Sequence, residues 1–521
     1  MKKQTKVMAT LSAAALLALG FSAVSMAAGW DNSTGAWRYL NNDGTEVVDE
    51  WKSANGNWFY LDSDGVMATD KLIEDTSSSN GKTKYYYVDQ YGAMVKNTWK
   101  AVAMDDDATD LDAEYWWYYF GNDGKAYTTD SAKLSKSKLK TINGLKYAFN
   151  DEGHMLYGWV EEDNYQTQDD STEDRWKTAT YYFNGWNDGH AQTGWAQLSV
   201  EDDDETKNYW FYFGSDGVKV ANKRKKINGV YYVFGEHGNM VDEWSYQYGK
   251  SSWSEMDDRF ADGVPTGEYN ASVSYLNGDG SQRKNTWIYA IPDEKMSSDD
   301  NENDDYRWFY ADKSGKLVTS KIKKINGKKY AFDEIGRMKT GFIKIDTDGK
   351  NYEGKVADWD SYTREQWLNE TFDGNAVAFF SDDEAKDGAM KFGYQTIELD
   401  DGTYQFYFDK KNGKAVTGYN KDIKKYLING MILKPSSDDD NNYAAVKVEG
   451  GKPVAMYTSY SEIEANIASD LYLVNASGTK VTSKTVKDEN DQYWRTDKDG
   501  KIVNHAADKE KYDEMRTAKT W

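Results

Sequence analysis

The chain has 521 residues, carries a formal net charge of -23, contains no cysteine, and is 15% aromatic. So acidic a balance argues against a nucleic-acid partner. The missing thiols exclude disulfides, cysteine nucleophiles and thiolate metal sites. The four histidines, His154, His190, His237 and His505, lie far apart and each adjoins a Gly or Asn. They read as turn residues, so no metal cluster and no cofactor is implied.

Residues 1–27 read as a secretory signal peptide. Lys2, Lys3 and Lys6 are followed by an apolar run from Leu11 to Val24 and by the small residues of "SMAAGW". No later stretch is apolar for long enough to span a membrane, so the mature chain is expected to be secreted without a membrane span. Aromatics with plentiful Gly (43) and scarce Pro (4) then point to many short strands closed by glycine turns rather than to disorder.

A strand-turn unit recurs along nearly all of the remainder. It is seen as "WRYLNNDG" (37–44), "WFYLDSDG" (58–65), "YYYVDQYG" (85–92), "WYYFGNDG" (117–124), "FYFGSDG" (211–217), "WFYADKSG" (308–315) and "FYFDKKNG" (406–413). In "WFYL", alternation sends Trp58 and Tyr60 to one face and Phe59 and Leu61 to the other. The turn ends in Gly, where a positive φ is cheap. A short second strand is expected after the turn, often carrying a Met such as Met67, Met94, Met155, Met240 or Met338. A lone hairpin is marginal, so the units are expected to stack and bury their aromatic faces.

A longer period overlies this one. Gly124, Gly217, Gly315 and Gly413 are 93, 98 and 98 residues apart. Lysine-rich tracts follow: "KLSKSKLKTING" (133–144), "NKRKKING" (222–229), "SKIKKING" (320–327) and "KDIKKYLING" (421–430). The fourth runs into "MILKPSSDDD", where its partner hairpin is expected to be cut short. Lys138, Lys140, Lys225, Lys226, Lys323, Lys324, Lys424 and Lys425 either form a positive flank for an anionic polymer or blunt exposed strand edges. The second reading is preferred, because nearby acids weaken any field. Those acids lie in inserts at 104–114, 160–174, 201–206, 294–305 and 436–442, read as solvated loops without flanking helices. They lack the glycine and the fixed offsets of a helix-loop-helix calcium loop.

Catalytic signals are absent. Ser-x-x-Lys occurs at Ser135/Lys138 and Ser320/Lys323, but inside the recurring basic tract. There is no Gly-x-Ser-x-Gly or His-Glu-x-x-His motif. The least repetitive stretches, 343–375 and 437–468, are short for a catalytic fold.

The repeat resembles the cell-wall-binding repeats of Gram-positive surface proteins, the group that includes choline-binding and glucan-binding modules. The resemblance is fullest in "GWDNSTGAWRYL" (29–40) and "EWKSANGNWFYL" (50–61). It implies an all-β, elongated β-solenoid of stacked two-stranded hairpins with acidic loop insertions. It implies a wall polymer as partner, through a teichoic-acid substituent or a polysaccharide. Aromatics from successive hairpins would box a quaternary ammonium by cation–π attraction. On this chain those residues are Trp37, Trp51, Trp58 and Tyr60, with Met67 as a soft wall; Trp30 sits at the mature terminus, where chain ends fray. Trp99, Trp159, Trp195 and Trp287 meet acidic inserts, which puts a short-loop cage in doubt there.

The chain is thus expected to be a secreted, non-enzymatic, cell-wall-associated repeat protein. The alternative is a structural or adhesive surface rod without a specific wall ligand. Its expected parts are a signal peptide (1–27), N-terminal wall-binding hairpins (28–100), larger duplicated blocks (101–435) and degenerate C-terminal repeats (436–521).

Overall fold

A computed structural model describes residues 28–76, 81–104, 113–166, 174–248, 251–256, 272–381, 387–435 and 442–521. The expected signal peptide, most of the inserts at 104–114 and 436–442, and half of that at 160–174 lie outside the described residues. Two compact units divide the chain. One comprises residues 1–241 with 251–254, the other 242–250 with 255–521. Both are mostly β-structure and built largely from antiparallel two-stranded hairpins.

The hairpin is not the one the turn glycines suggested. Strand Asn57–Leu61 pairs with Glu50–Ala54, which precedes it, in the register Trp51↔Tyr60 and Ser53↔Trp58. The turn joining them is Asn55-Gly56, with φ of 51° and 80°. A two-residue turn with both φ positive matches the twist of the strands it joins, and Asn-Gly is its commonest sequence. The Asp-Ser-Asp-Gly turn closes the far end of the strand. Beyond it, only a one-residue bridge, Leu61↔Met67, returns to the hairpin. The Asp62 carboxylate shapes that turn by accepting from the N–H groups of Asp64 and Val66 at 3.0 and 2.9 Å, as Asx residues do.

The residue after the turn has a second task. Met67 N–H donates to the Trp37 carbonyl of the preceding hairpin, Met94 to that of Trp58, and Met155 to that of Trp117, each at 2.8 Å. The next residue turns back to its own hairpin: Ala68 donates to Tyr60 and Val95 to Tyr87, both at 2.9 Å. The post-turn segment therefore joins each hairpin to its predecessor by main-chain hydrogen bonds. The next turn glycine then lies on the Met. A Cβ built on Gly124, where φ is 79°, would stand 2.6 Å from Met94 Sδ. Both the backbone conformation and the packing demand glycine there.

The lysine tracts are first strands of hairpins. Lys223–Ile227 pairs with Val230–Phe234 across Asn228-Gly229, and Lys321–Ile325 with Lys328–Phe332 across Asn326-Gly327. Their charges are not simply free in solvent. Lys140 Nζ lies 5.4 Å from the Tyr127 ring centre and Lys225 Nζ 5.5 Å from that of Tyr212. The fourth tract does meet a short partner: Lys425–Ile428 pairs with the two-residue strand Met431–Ile432.

Two acidic inserts are ordered where loose loops were expected. Residues 201–206 form the tip of a hairpin of nine-residue strands, Gly194–Asp202 and Glu205–Phe213. Asp203 and Asp204 make the turn, with φ of 55° and 60°. Residues 294–305 hold a short helix, Ser298–Glu302, capped by the Ser297 side chain. Its Asp300 points inward onto Arg307 and Arg337 at 2.9 and 2.7 Å. The acidic composition hid both, because it favours solvated loops on average without excluding a capped helix or an Asp-Asp turn.

The second unit also departs from the hairpin pattern. Trp367, fully buried on helix Arg364–Asn369, anchors a core of Phe342, Phe372, Phe379, Phe406 and Phe408. A five-stranded sheet and a three-stranded sheet on Tyr443–Glu449 follow.

Candidate functional site: recurring aromatic junctions

Four junctions between hairpins are built around a Trp near the start of a first strand, at Trp51, Trp99, Trp195 and Trp287. At Trp99, the partner strand places Tyr119 directly opposite and Trp117 two positions further on. The next hairpin brings up Tyr147. Ring centres lie 6.5 Å (Trp117), 5.2 Å (Tyr119) and 4.9 Å (Tyr147) from that of Trp99, all edge to face. This is the geometry aromatic quadrupoles prefer. Met155, on the bridge after the next turn, completes the cluster.

The same set recurs with nearly the same dimensions. Trp195 has Trp210 at 6.3 Å, Tyr212 at 5.3 Å and Tyr232 at 4.9 Å, with Met240 in the cluster. Trp287 has Trp308 at 6.0 Å, Tyr310 at 5.3 Å and Tyr330 at 4.8 Å, with Met338. Trp51 has Tyr60 at 5.2 Å and Tyr86 at 5.1 Å. Met94 N–H is bonded to the carbonyl of Trp58, whose side chain is 43% exposed.

The five residues singled out from sequence therefore fall into two adjacent junctions. Trp37 and Met67 belong to the first, beside Trp30 and Phe59. Trp51, Trp58 and Tyr60 belong to the second, whose remaining members are Tyr86 and Met94. Trp30 is not frayed: its ring meets Trp37, Tyr39 and Phe59 edge-on at 6.5, 5.4 and 5.4 Å. Tyr86 and Met94 were missed because the strand partner was placed after the turn, which assigns each Met to the wrong Trp. The Asn-Gly at 55–56 was the available signal.

Acidic inserts leave these junctions intact. At Trp195 the insert only lengthens the hairpin beyond the paired tryptophans, since Gln197↔Trp210 keeps the position that Ser53↔Trp58 has. At Trp287 the helix Ser298–Glu302 lies beyond Ala290↔Arg307, again outside the ring set. Trp159 differs. The place of the second Trp falls to Thr180, and Trp176 packs from helix Arg175–Thr178.

Electrostatics around the rings are set by burial. Desolvation raises the Tyr86, Tyr147 and Tyr330 hydroxyls, so the rings stay neutral at physiological pH. Beside the Tyr118 hydroxyl, at 2.9 Å, His154 Nε2 lies in a ring stacked on Trp116 at 4.1 Å. Burial pushes this imidazole from 6.5 down to about 4, although Glu152 stands 3.3 Å from Nδ1. A histidine whose folded pKa is depressed takes up its proton first in the unfolded chain. Its contribution is complete above pH 6.5 and is lost as pH falls towards 4. We expect a loss of at most about 3 kcal/mol over that range, visible as a Tm drop between pH 7 and pH 4.5. In His154→Phe, which keeps the stack, the drop should be smaller; an equal drop would remove His154 from the account.

This fold and this site define a class: proteins whose hairpins meet through repeated Trp-Trp-Tyr-Met junctions. Residues 47–99, which contain the Trp51 junction, match the family model of the choline-binding repeat. Within that segment the chain carries a choline-binding repeat, and the aromatic hairpins outside it share its strand-turn pattern. It is 25% identical over 283 residues to Glucosyltransferase-S of Streptococcus mutans serotype c, covering 52% of this chain and 15% of that protein. It is 25% identical over 354 residues to Glucosyltransferase-I of Streptococcus downei, covering 66% and 18%. The chain thus spans less than a fifth of the length of these curated relatives. Among solved structures, the modular autolysin LytC of Streptococcus pneumoniae, in complex with a synthetic peptidoglycan ligand, aligns at 20% identity and a TM-score of 0.32. That alignment covers 61% of this chain and 54% of LytC. Choline-binding protein F of Streptococcus pneumoniae aligns at 16% identity and 0.27, covering 76% and 100%.

Among the described residues, no helix is long and apolar enough to cross a membrane, and no group of three or more His, Asp or Glu could hold a metal ion.

Proposed function

We propose that the chain is a cell-wall-associated binding protein of a Gram-positive surface. It holds envelope polymer by caging quaternary ammonium groups, such as those of choline-substituted teichoic acid, in its aromatic junctions. The observation that carries this reading is the repetition of one ring set, in one register, at Trp51, Trp99, Trp195 and Trp287. Packing accounts for the first Trp and the Tyr of each set, which are half-buried or buried and meet edge-on. It does not require the second Trp, whose ring stays substantially exposed at Trp58 and Trp210. An exposed indole beside a half-buried one offers two faces to a cation without desolvating a carboxylate, and each face contributes about 0.5–2 kcal/mol. Several weak junctions engaged on one polymer would then add through effective concentration. In this reading the protein is secreted and acts by binding rather than by catalysis, with residues 28–100 as its most regular binding segment.

Polysaccharide binding is supported by a separate feature. Tyr306, Tyr289 and Trp308 form a short ladder with ring centres 5.1 and 4.7 Å apart and planes inclined by about 30°. Tyr289 and Tyr306 are 54% and 50% exposed. Such a ladder offers a flat apolar surface of the kind a pyranose ring stacks on.

The test is retention of the purified protein on isolated cell walls. Elution by choline, but not by sodium chloride of equal ionic strength, supports the cage. Elution by soluble glucan alone transfers the function to the Tyr289 ladder. Elution by salt alone would overturn both in favour of the lysine strands. Trp58→Ala combined with Trp210→Ala should weaken retention several-fold, while Tm falls by only a few degrees.

A further inference from the structure

The residue that closes each junction is Met at Trp51, Trp99, Trp195 and Trp287. At two other junctions it is Lys. Lys219 occupies the post-turn bridge Phe213↔Lys219, and Lys480 the bridge Val474↔Lys480, as Met94 occupies Val88↔Met94. The stems pack as the methionines do. The next turn glycine lies against them: a Cβ on Gly238 would stand 2.9 Å from Lys219 Cδ, and one on Gly500 2.5 Å from Lys480 Cγ. The difference is at the tip. Lys480 Nζ sits among three tyrosines, 4.5 Å from the ring centre of Tyr419, 5.8 Å from Tyr426 and 5.5 Å from Tyr472. These are the junction's own rings. Tyr419 pairs with Tyr426 as Trp51 pairs with Tyr60, and Tyr472 comes from the following hairpin. Lys219 Nζ lies 5.4 Å from the centre of Trp159 and donates to the Trp176 carbonyl at 2.5 Å.

We propose that the closing residue decides which junctions are open: Met leaves the ring set to a ligand's ammonium group, whereas Lys219 and Lys480 fill theirs with the chain's own ammonium. The Trp159 and Tyr419 junctions are then self-occupied and serve as fixed joints. The argument is chemical. Three tyrosine faces around one cationic nitrogen form a cage by the same attraction that holds a quaternary ammonium. A tethered cation needs no translational entropy to enter. Burial draws Lys219 down to about 7, against the pull of the indole face and the carbonyl oxygen. Lys480, which is only partly buried and has three rings around it, offers the clearer test.

This inference rests on the proposed cage reading, and the experiment separates the two. The probe is tetramethylammonium chloride, with the number of bound equivalents measured by equilibrium dialysis on the purified protein, its Lys480→Met variant and its Lys480→Arg variant. Lys480→Met keeps an unbranched stem of similar volume, which volume-conserving substitution tolerates. The expected result is one additional equivalent for Lys480→Met and none for Lys480→Arg, which keeps a cation in place. A wild-type protein that binds tetramethylammonium and a Lys480→Met variant that binds no more would overturn the closing-residue rule and leave the cage reading standing. No binding by either would overturn both. Should Lys480→Met fail to fold, Lys480→Leu, which also removes the charge at similar volume, carries the same expectation among the three tyrosines.

Discussion

Asp300→Ala should destabilise the second unit by about 3–5 kcal/mol, the cost of removing one partner from a buried ion network. The Asp300 side chain is 3% exposed and meets Arg307 and Arg337, while Arg337 also reaches Asp333, 2% exposed, at 2.8 Å. The two carboxylates respond differently. Burial works to raise both. At Asp300 the hydrogen bond from Arg337, with Ser297 and Arg307 behind it, overcomes burial and holds the pKa below the usual carboxylate range. Asp333 is buried more deeply, and there burial wins over Arg337 and Lys339, pushing the carboxyl up. Arg337 is desolvated as well, yet Asp333 and Asp300 hold it firmly charged. Removing Asp300 leaves Arg337 with a single, deeply buried carboxylate. Because its folded pKa is lowered, the Asp300 contribution is present above the unfolded value and is lost as pH falls through the folded one. Urea unfolding read by tryptophan fluorescence measures the loss. A change below 1 kcal/mol would show that the helix Ser298–Glu302 docks without this network.

Trp287→Ala should cost a similar amount, about 3–5 kcal/mol, as large-to-small core changes do. Four rings, Trp308, Tyr310, Tyr330 and Phe332, lie within 6.0 Å of its centre. All lose an edge or a face together. Trp308→Ala should cost less, about 1–2 kcal/mol, because its indole meets fewer rings, Trp287 at 6.0 Å and Tyr289 at 4.7 Å, although both indoles are half-buried. The contrast is diagnostic. If the second Trp were merely another packing residue, the two variants would lose stability alike. If it is the ligand-facing wall, Trp308→Ala loses ammonium binding at that junction while keeping most of its stability. Chemical denaturation and dialysis on the same two proteins decide between these outcomes.

The repeat was legible because its turn chemistry is local. Asp62, Asp89 and Asp312 each shape a turn ending in Gly, and that signal needs no tertiary context. The pairing was not legible from the same signal. A strand such as Asn57–Leu61 is flanked by turns on both sides, and nothing within "WFYL" says which neighbour it joins. The Asn-Gly turns at 55–56, 143–144, 228–229, 326–327 and 429–430 do say so, through the positive φ values they accept. Once pairing is assigned by those turns, Met94 falls to Trp51 and Met155 to Trp99. The site then follows at Trp51, Trp99, Trp195 and Trp287, including the junctions behind acidic inserts. The buried role of Asp300 left no such trace. Its partner Arg337 lies 37 residues away, in a hairpin that sequence alone does not bring near. The Trp367 core was equally hidden, because its rings come from a stretch with no repeat to compare.

The central claim is that the methionine-closed junctions are ammonium cages. The most direct measurement is a titration of the purified protein with choline chloride, followed by tryptophan fluorescence and matched at every point by sodium chloride of equal ionic strength. The account predicts a saturable change with choline alone, reproduced by tetramethylammonium and diminished in Trp58→Ala, Trp210→Ala and Trp308→Ala. Identical traces for choline and sodium chloride would contradict it.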